Sequence, residues 1–206
     1  MTNMKSADAT RAPRQYRMSA RAEAAAATAE RILDATTELF WEHPTDQIRL
    51  DEVAARSGVT VQTVLRRFGS KEGLFEAAVA RERERVREAR AAVTPGDVQG
   101  AVANLVEHYE LLGDRVLRMI AEERNVPAIA QVVQEGRQLH RDWCRTAFAP
   151  SLAGLTGAAR QRRLAQLVAV CDVQTWKLLR RDSGLSRTQT ELAITELLAP
   201  FTKDVS

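Results

Sequence analysis

Gln62 and Arg66 stand one helical turn apart in the segment TVQTVLRRFGSK, residues 60–71, which holds three cations and no acid. An amide and a guanidinium at that spacing suit paired hydrogen bonds to purine edges. Gln62 fits an adenine at N6 and N7, and Arg66 a guanine at O6 and N7. Val61, Thr63 and Leu65 beside them suit thymine methyl groups. Arg49, Arg67 and Lys71 suit phosphates, which fix register and add affinity without carrying sequence information. The expected partner is double-stranded DNA.

A second constellation lies further on. His140 and Cys144 are one helical turn apart, with His108, Tyr109 and Cys171 on neighbouring predicted helices. Structural zinc wants four ligands at recognisable spacing, and no CxxC or HxxxH occurs, so no metal or other cofactor is expected. A Cys–His nucleophile would need an orienting acid and an oxyanion hole, and neither is visible. No enzyme is expected. Ordinary core residues or a ligand pocket remain. Tyr109, Met119 and His140 on inward stripes, with Trp143, Phe148, Cys171 and Gln174, would line a site for an apolar or aromatic small molecule held by few hydrogen bonds. No buried carboxylate or arginine fork announces a charged ligand.

The first group needs a rigid mount, and the sequence supplies one. Asp51 and Glu52 open a short helix where the dipole favours acids. Gly58 can end that helix in the left-handed conformation. Thr60 can cap the next by accepting a backbone N–H. Val53, Ala54, Val59, Val64 and Phe68 point inward. This is a helix-turn-helix with its second helix turned outward. A preceding helix, about residues 22–43, buries Ile32, Leu33, Thr36, Leu39 and Phe40 and stops at Pro44. Ser70 can cap a fourth helix that buries Leu74, Phe75, Ala78 and Val79. Its continuation, RERERVREAR, reads as a solvated face laced with i, i+4 pairs.

Thr94-Pro95-Gly96-Asp97 is the clearest break in the chain. Beyond it the pattern predicts a fifth helix from Val98 to Gly113 and a short sixth capped by Asp114. A seventh runs from Pro127 to Pro150, a long eighth from Ala158 to Arg181, and a ninth from Arg187 to Pro200. The eighth is apolar on two faces, Leu164, Leu167, Val168, Cys171, Thr175 and Leu178 on one and Ala169, Val173 and Trp176 on the other. It must be covered twice, by its own domain and by the ninth helix or a second subunit. A symmetric pair of heads doubles the phosphate contacts, which points to a homodimer.

The whole is all-α, about nine helices in 206 residues. The expected division is a disordered basic arm over 1–21, a DNA-binding head over 22–70, a linking helix over 71–95 and a regulatory body over 96–206. The arm holds Lys5, Arg11, Arg14, Arg17 and Arg21 against Asp8, so much of the formal +3 sits there. It could reach phosphates or a minor groove. No apolar run approaches the roughly 20 residues that span a membrane. The start lacks a signal-peptide core. Two cysteines 27 positions apart suggest no disulfide framework, so a cytoplasmic, nucleoid-associated protein is expected.

RILDATTELFWEH, followed by LDEVAARSGVTVQTVLRRFGSKEGLFEAAV, resembles the tetracycline-repressor (TetR) family of bacterial transcription regulators. The order of features carries the likeness: a first helix ending in LF, an EVAARSGV helix and turn, T-x-x-R-x-F on the outward helix, and GSKEGLF opening the fourth. The resemblance implies a three-helix head, a fourth helix linking it to a ligand-binding body, and dimerisation through the last two long helices. It also implies a repressor that leaves a palindromic operator when a small-molecule effector binds. By position it places Thr60, Val61, Gln62, Thr63, Leu65, Arg66 and Arg67 on the DNA-facing helix, with Arg49 and Lys71 at recurrent phosphate contacts. Leu65 stands where the family commonly has a phosphate-binding tyrosine, and Arg67 where it has a histidine. A structural DNA-binding protein whose body serves assembly only is the alternative.

Overall fold

The computed structural model describes residues 11–44 and 47–202, side chains from Ser19 onward and excepting Ala128. Every regular element among them is helical: α1 (Arg11–Glu42), α2 (Leu50–Ser57), α3 (Val61–Phe68), α4 (Lys71–Ala91), α5 (Val98–Glu122), α6 (Pro127–Ala147), α7 (Gly157–Val170), α8 (Val173–Lys177) and α9 (Arg187–Thr202). A 3-10 turn, Pro150–Leu152, follows α6, and a π-helical turn, Leu178–Asp182, extends α8. The chain divides into two compact units, Met1–Arg81 and Glu82–Ser206. The division falls inside α4, where a composition reading puts it at the Thr94–Asp97 turn.

The head is built on α1. Ile32, Leu33, Ala35 and Leu39 meet Ile48, Val53, Ala54, Val64, Leu74 and Ala78 in one core. Thr36 is fully buried because its hydroxyl donates to the Ile32 carbonyl at 2.7 Å. Arg81 on α4 pairs with Asp34 at 2.9 Å and Glu30 at 3.2 Å, tying α4 to α1. Residues 11–21, expected in a disordered arm, continue α1 as helix, and Pro13 is accommodated in its first turn. The first ten residues of that arm lie outside the described residues.

The body gathers Leu105, Val106, Tyr109, Phe148, Leu167, Trp176, Ile194 and Leu198 into a second core. It departs from the periodicity reading at three points. First, α5 does not end at Gly113 but runs through it to Glu122. Gly113 is buried face to face with Trp176, and a Cβ there would lie 2.5 Å from Cζ3 and 2.7 Å from Cη2. That glycine permits a close approach and does not stop the helix. Second, the long eighth helix is broken at Cys171 and Asp172. Asp172 takes an extended backbone, and its Oδ1 caps α8 by accepting the Gln174 N–H at 2.9 Å. The Cys171 carbonyl accepts the Tyr109 hydroxyl at 3.1 Å. Third, α9 runs two residues beyond Pro200, whose missing N–H leaves the Glu196 carbonyl without its helical donor.

Two glycine substitutions should move stability in opposite directions. Alanine gains about 1 kcal/mol over glycine in a helix interior, whereas overpacking a core costs about 1–3 kcal/mol. At Gly113 the clash wins, because Trp176 is fully buried and its ring cannot retreat. Gly113→Ala is expected to lower unfolding free energy by about 1–2 kcal/mol. Gly136, exposed on α6 with open space around it, should gain up to about 1 kcal/mol as Gly136→Ala. Urea unfolding of both variants checks the pair.

Candidate nucleic-acid interface and the buried cluster of the body

The outward helix is held as its sequence requires. Gly58 ends α2 at φ 70°, ψ 35°, in the left-handed region. Its N–H and that of Val59 are bonded back to Ala55 and Ala54. Thr60 then caps α3, its Oγ1 accepting the Thr63 N–H at 3.2 Å. Val64 faces the core, fully buried. The opposite face carries Gln62 and Arg66, both exposed, and neither bonds another side chain or backbone group among the described residues.

The flanking residues differ in how free they are. Ser70 caps α4 through the Gly73 N–H at 3.1 Å, which brings Lys71 to the helix start with its ammonium 5.7 Å from the Phe75 ring centre. Arg49 precedes α2, and its Nε donates to Asp51 at 3.0 Å. Its charged form is favoured further by that hydrogen bond. Arg67, expected on a phosphate, donates from Nη2 to the Ala25 carbonyl of α1 at 2.6 Å and so braces α3 against α1. Val61, expected at a thymine methyl, packs against the head core. Thr63 and Leu65 are half-exposed.

The expected lining of the body separates. Tyr109, His140, Trp143, Phe148 and Cys171 are buried together in its core. Met119 on α5 is half-buried outside that cluster. Gln174 is exposed, because the break at Cys171 and Asp172 resets the helix phase and turns it to solvent.

A residue that charge patterning assigns to solvent joins them. Arg90, in the last turn of α4, is only 6% exposed. Its Nη1 lies 3.1 Å from His140 Nδ1, and its guanidinium stands 5.1 Å from the Trp143 ring centre and 5.9 Å from that of Tyr109. Arginine carries only donors, so Nδ1 accepts and the His140 proton sits on Nε2. That N–H donates to the Val168 carbonyl at 3.3 Å, with Cys144 Sγ at 3.7 Å. Cys144 and Cys171 are both buried free thiols. Cys144 ionises first, because it accepts from Cys171 and feels His140 and Arg90, while Cys171 is pushed upward. No cluster of three or more metal-ligating groups exists among the described residues.

Residues 32–78 match the family model described as bacterial regulatory proteins, tetR family. That match lies wholly within the head, Met1–Arg81. Two HTH-type transcriptional regulators from two strains of Mycobacterium tuberculosis are each 32% identical to the chain over 102 residues, 50% of this chain and 46% of theirs. The chain thus spans about half the length of the curated relatives it matches. The fold is shared with a transcriptional regulator of Rhodococcus sp. Rha1 at TM-score 0.63, 17% identity, 85% of this chain and 96% of that one. It is shared also with the regulator FadR of Bacillus subtilis, solved with stearoyl-CoA, at TM-score 0.54, 18% identity, 82% of this chain and 96% of that one.

The cluster makes the body sensitive to acid. Burial first, then the charge of Arg90, pushes His108 from 6.5 down to about 3. Between those values the unfolded chain binds a proton that the folded body does not, so stability falls as pH falls through that window. Going from pH 7 to 4.5, the protein should lose roughly 2–3 kcal/mol more than His108→Phe. Urea unfolding at both pH values measures the difference, and equal losses would show that His108 is not held neutral.

Proposed function

We propose that this chain is a ligand-responsive transcription regulator, a repressor whose head binds a palindromic DNA operator and whose body binds a small organic effector. The single observation that carries the DNA part is the capped, outward α3 with Gln62 and Arg66 exposed and unpartnered inside the segment that matches the family. Gln62 and Arg66 read bases; Thr60, Thr63 and Leu65 line the same face. Lys71 holds phosphate, and so does Arg49 when a phosphate displaces Asp51. Arg67 acts chiefly by fixing the angle of α3 on α1. The basic N-terminal segment with Lys5, Arg11, Arg14, Arg17 and Arg21 adds phosphate contacts, and the protein works in the cytoplasm. No described helix is long and apolar enough to cross a membrane.

A symmetric operator calls for two heads about one DNA turn, roughly 34 Å, apart. The body offers apolar side chains to a second copy: Leu178 beyond α8 is 58% exposed, and Leu192 and Leu197 on α9 are 58% and 47% exposed. Leaving these in water is unfavourable, and their burial between two copies supports a homodimer. The effector acts by binding one body shape better than the other. DNA then weakens the effector by the same factor that the effector weakens DNA. Helix α4, which begins in the head and ends at Ala91 in the body, is the element through which the two are coupled.

Two measurements test this function. In a binding-site selection, Gln62→Ala and Arg66→Ala should each cost about 1–3 kcal/mol and relax preference at one base position, whereas Lys71→Ala weakens all sequences alike. Unchanged preference in both of the first two removes the base-reading assignment. Sedimentation should find a dimer that Leu178→Glu with Leu197→Glu converts to monomer, with a loss of operator affinity. A wild-type monomer that still binds a full palindrome tightly refutes the dimer.

A further inference from the structure

We infer that the buried Arg90 is the anchor for a carboxylate, so that the effector is a monoanionic organic acid with an apolar or aromatic body. This rests on the body being the effector-binding part. A guanidinium removed from water carries a full positive charge into a medium that stabilises it poorly, and buried charges are ordinarily paired. Arg90 is not paired. No carboxylate lies within salt-bridge distance of it among the described residues, and its Nε is buried with no hydrogen-bond partner. Apart from the Cys144 thiol, the groups packed against it do not neutralise it. His140 accepts as a neutral ring, the Tyr109 hydroxyl donates to the Cys171 carbonyl, and Asn104 is neutral, its Nδ2 donating to the Ala89 carbonyl and its Oδ1 buried without a partner. Burial keeps the Tyr109 phenol protonated and His108 uncharged. Asp172, the acid whose field reaches Tyr109 and Cys171, uses Oδ1 to cap α8. The C-terminal dipole of α4 offers only about half a charge.

A second buried donor points to the same missing partner. Trp143 Nε1, on the ring beneath the Arg90 guanidinium, also lacks an acceptor. Two orphaned donors and one uncompensated positive charge together call for a group that only accepts hydrogen bonds and carries one negative charge. A carboxylate has both properties, with two oxygens for a planar fork. Water could satisfy the donors but not the charge. A phosphate monoester brings nearly two charges and overshoots. The flat rings of Trp143, Tyr109 and His140 around the cation suit an aromatic or aliphatic tail behind the acid group. One internal rival exists, a Cys144 thiolate, which Arg90 and His140 favour.

The test titrates the full-length protein calorimetrically with hexanoate, decanoate, benzoate and phenylacetate, each against its own primary amide, which keeps the tail and removes the charge. At least one acid should bind roughly thirtyfold more tightly than its amide. That preference should vanish in Arg90→Met and persist in Cys144→Ser. Arg90→Lys, which keeps the charge and loses the fork, should show an intermediate ratio and covers the case in which Arg90→Met does not fold. Equal affinities within every pair, no binding by any acid, or an acid preference that survives Arg90→Met would overturn the inference. Operator affinity, read by fluorescence anisotropy, separates the two proposals. An acid that binds through Arg90 and leaves operator affinity unchanged supports the anion site and sinks the effector mechanism. An amide that releases the operator as well as its acid does the reverse.

Discussion

The body of this protein is organised under one electrostatic constraint, a guanidinium carried out of water at the end of α4. Arg90 sits among Trp143, Tyr109, His140 and two thiols. Its presence dictates the states of the groups near it. It fixes the tautomer of His140, helps hold His108 neutral and favours the ionised form of the Cys144 thiol. A buried cation of this kind is costly unless something supplies the missing negative charge. An anion bound there would make the stability of the folded state depend on the ligand, the property a sensor needs.

The head follows a different logic, in which the ends of its short helices are satisfied locally. Gly58, Thr60 and Ser70 end or begin helices with their own backbone or side-chain atoms, and Thr36 and Ser57 return their hydroxyls to the preceding turn. Arg31, Arg67 and Arg81 bond across elements of the head and fix the helices' angles. With the scaffold satisfied in this way, Gln62 and Arg66 remain uncommitted on its surface. That separation between bracing cations and free ones lets a helix of eight residues present a defined face.

The sequence alone was enough for the head, because each of its signals acts within a few residues. The apolar spacing of α1, the glycine after α2, the threonine before α3 and the absence of acids over residues 60–71 are read where they act. The caps, the all-helical class and the resemblance all lie within that range. The same local reasoning placed Pro127 at the start of α6 and a stop before Pro150.

What tertiary structure decided lies where a residue's partner is far along the chain. Gly113 reads as a helix terminator until Trp176, 63 positions later, is seen against it. The break at Cys171 turns Gln174 to solvent, and its freed carbonyl accepts from Tyr109, 62 positions earlier. Arg90 stands in a run of alternating charge that looks solvated throughout, and nothing local distinguishes it from Arg85 or Arg87. Only its meeting with His140 and Trp143 removes it from water. Short-range hydrogen bonding and helical periodicity therefore sufficed to specify the outward face of α3. The chemistry of the body came from long-range packing, which brings together side chains whose types, taken singly, announce only a core.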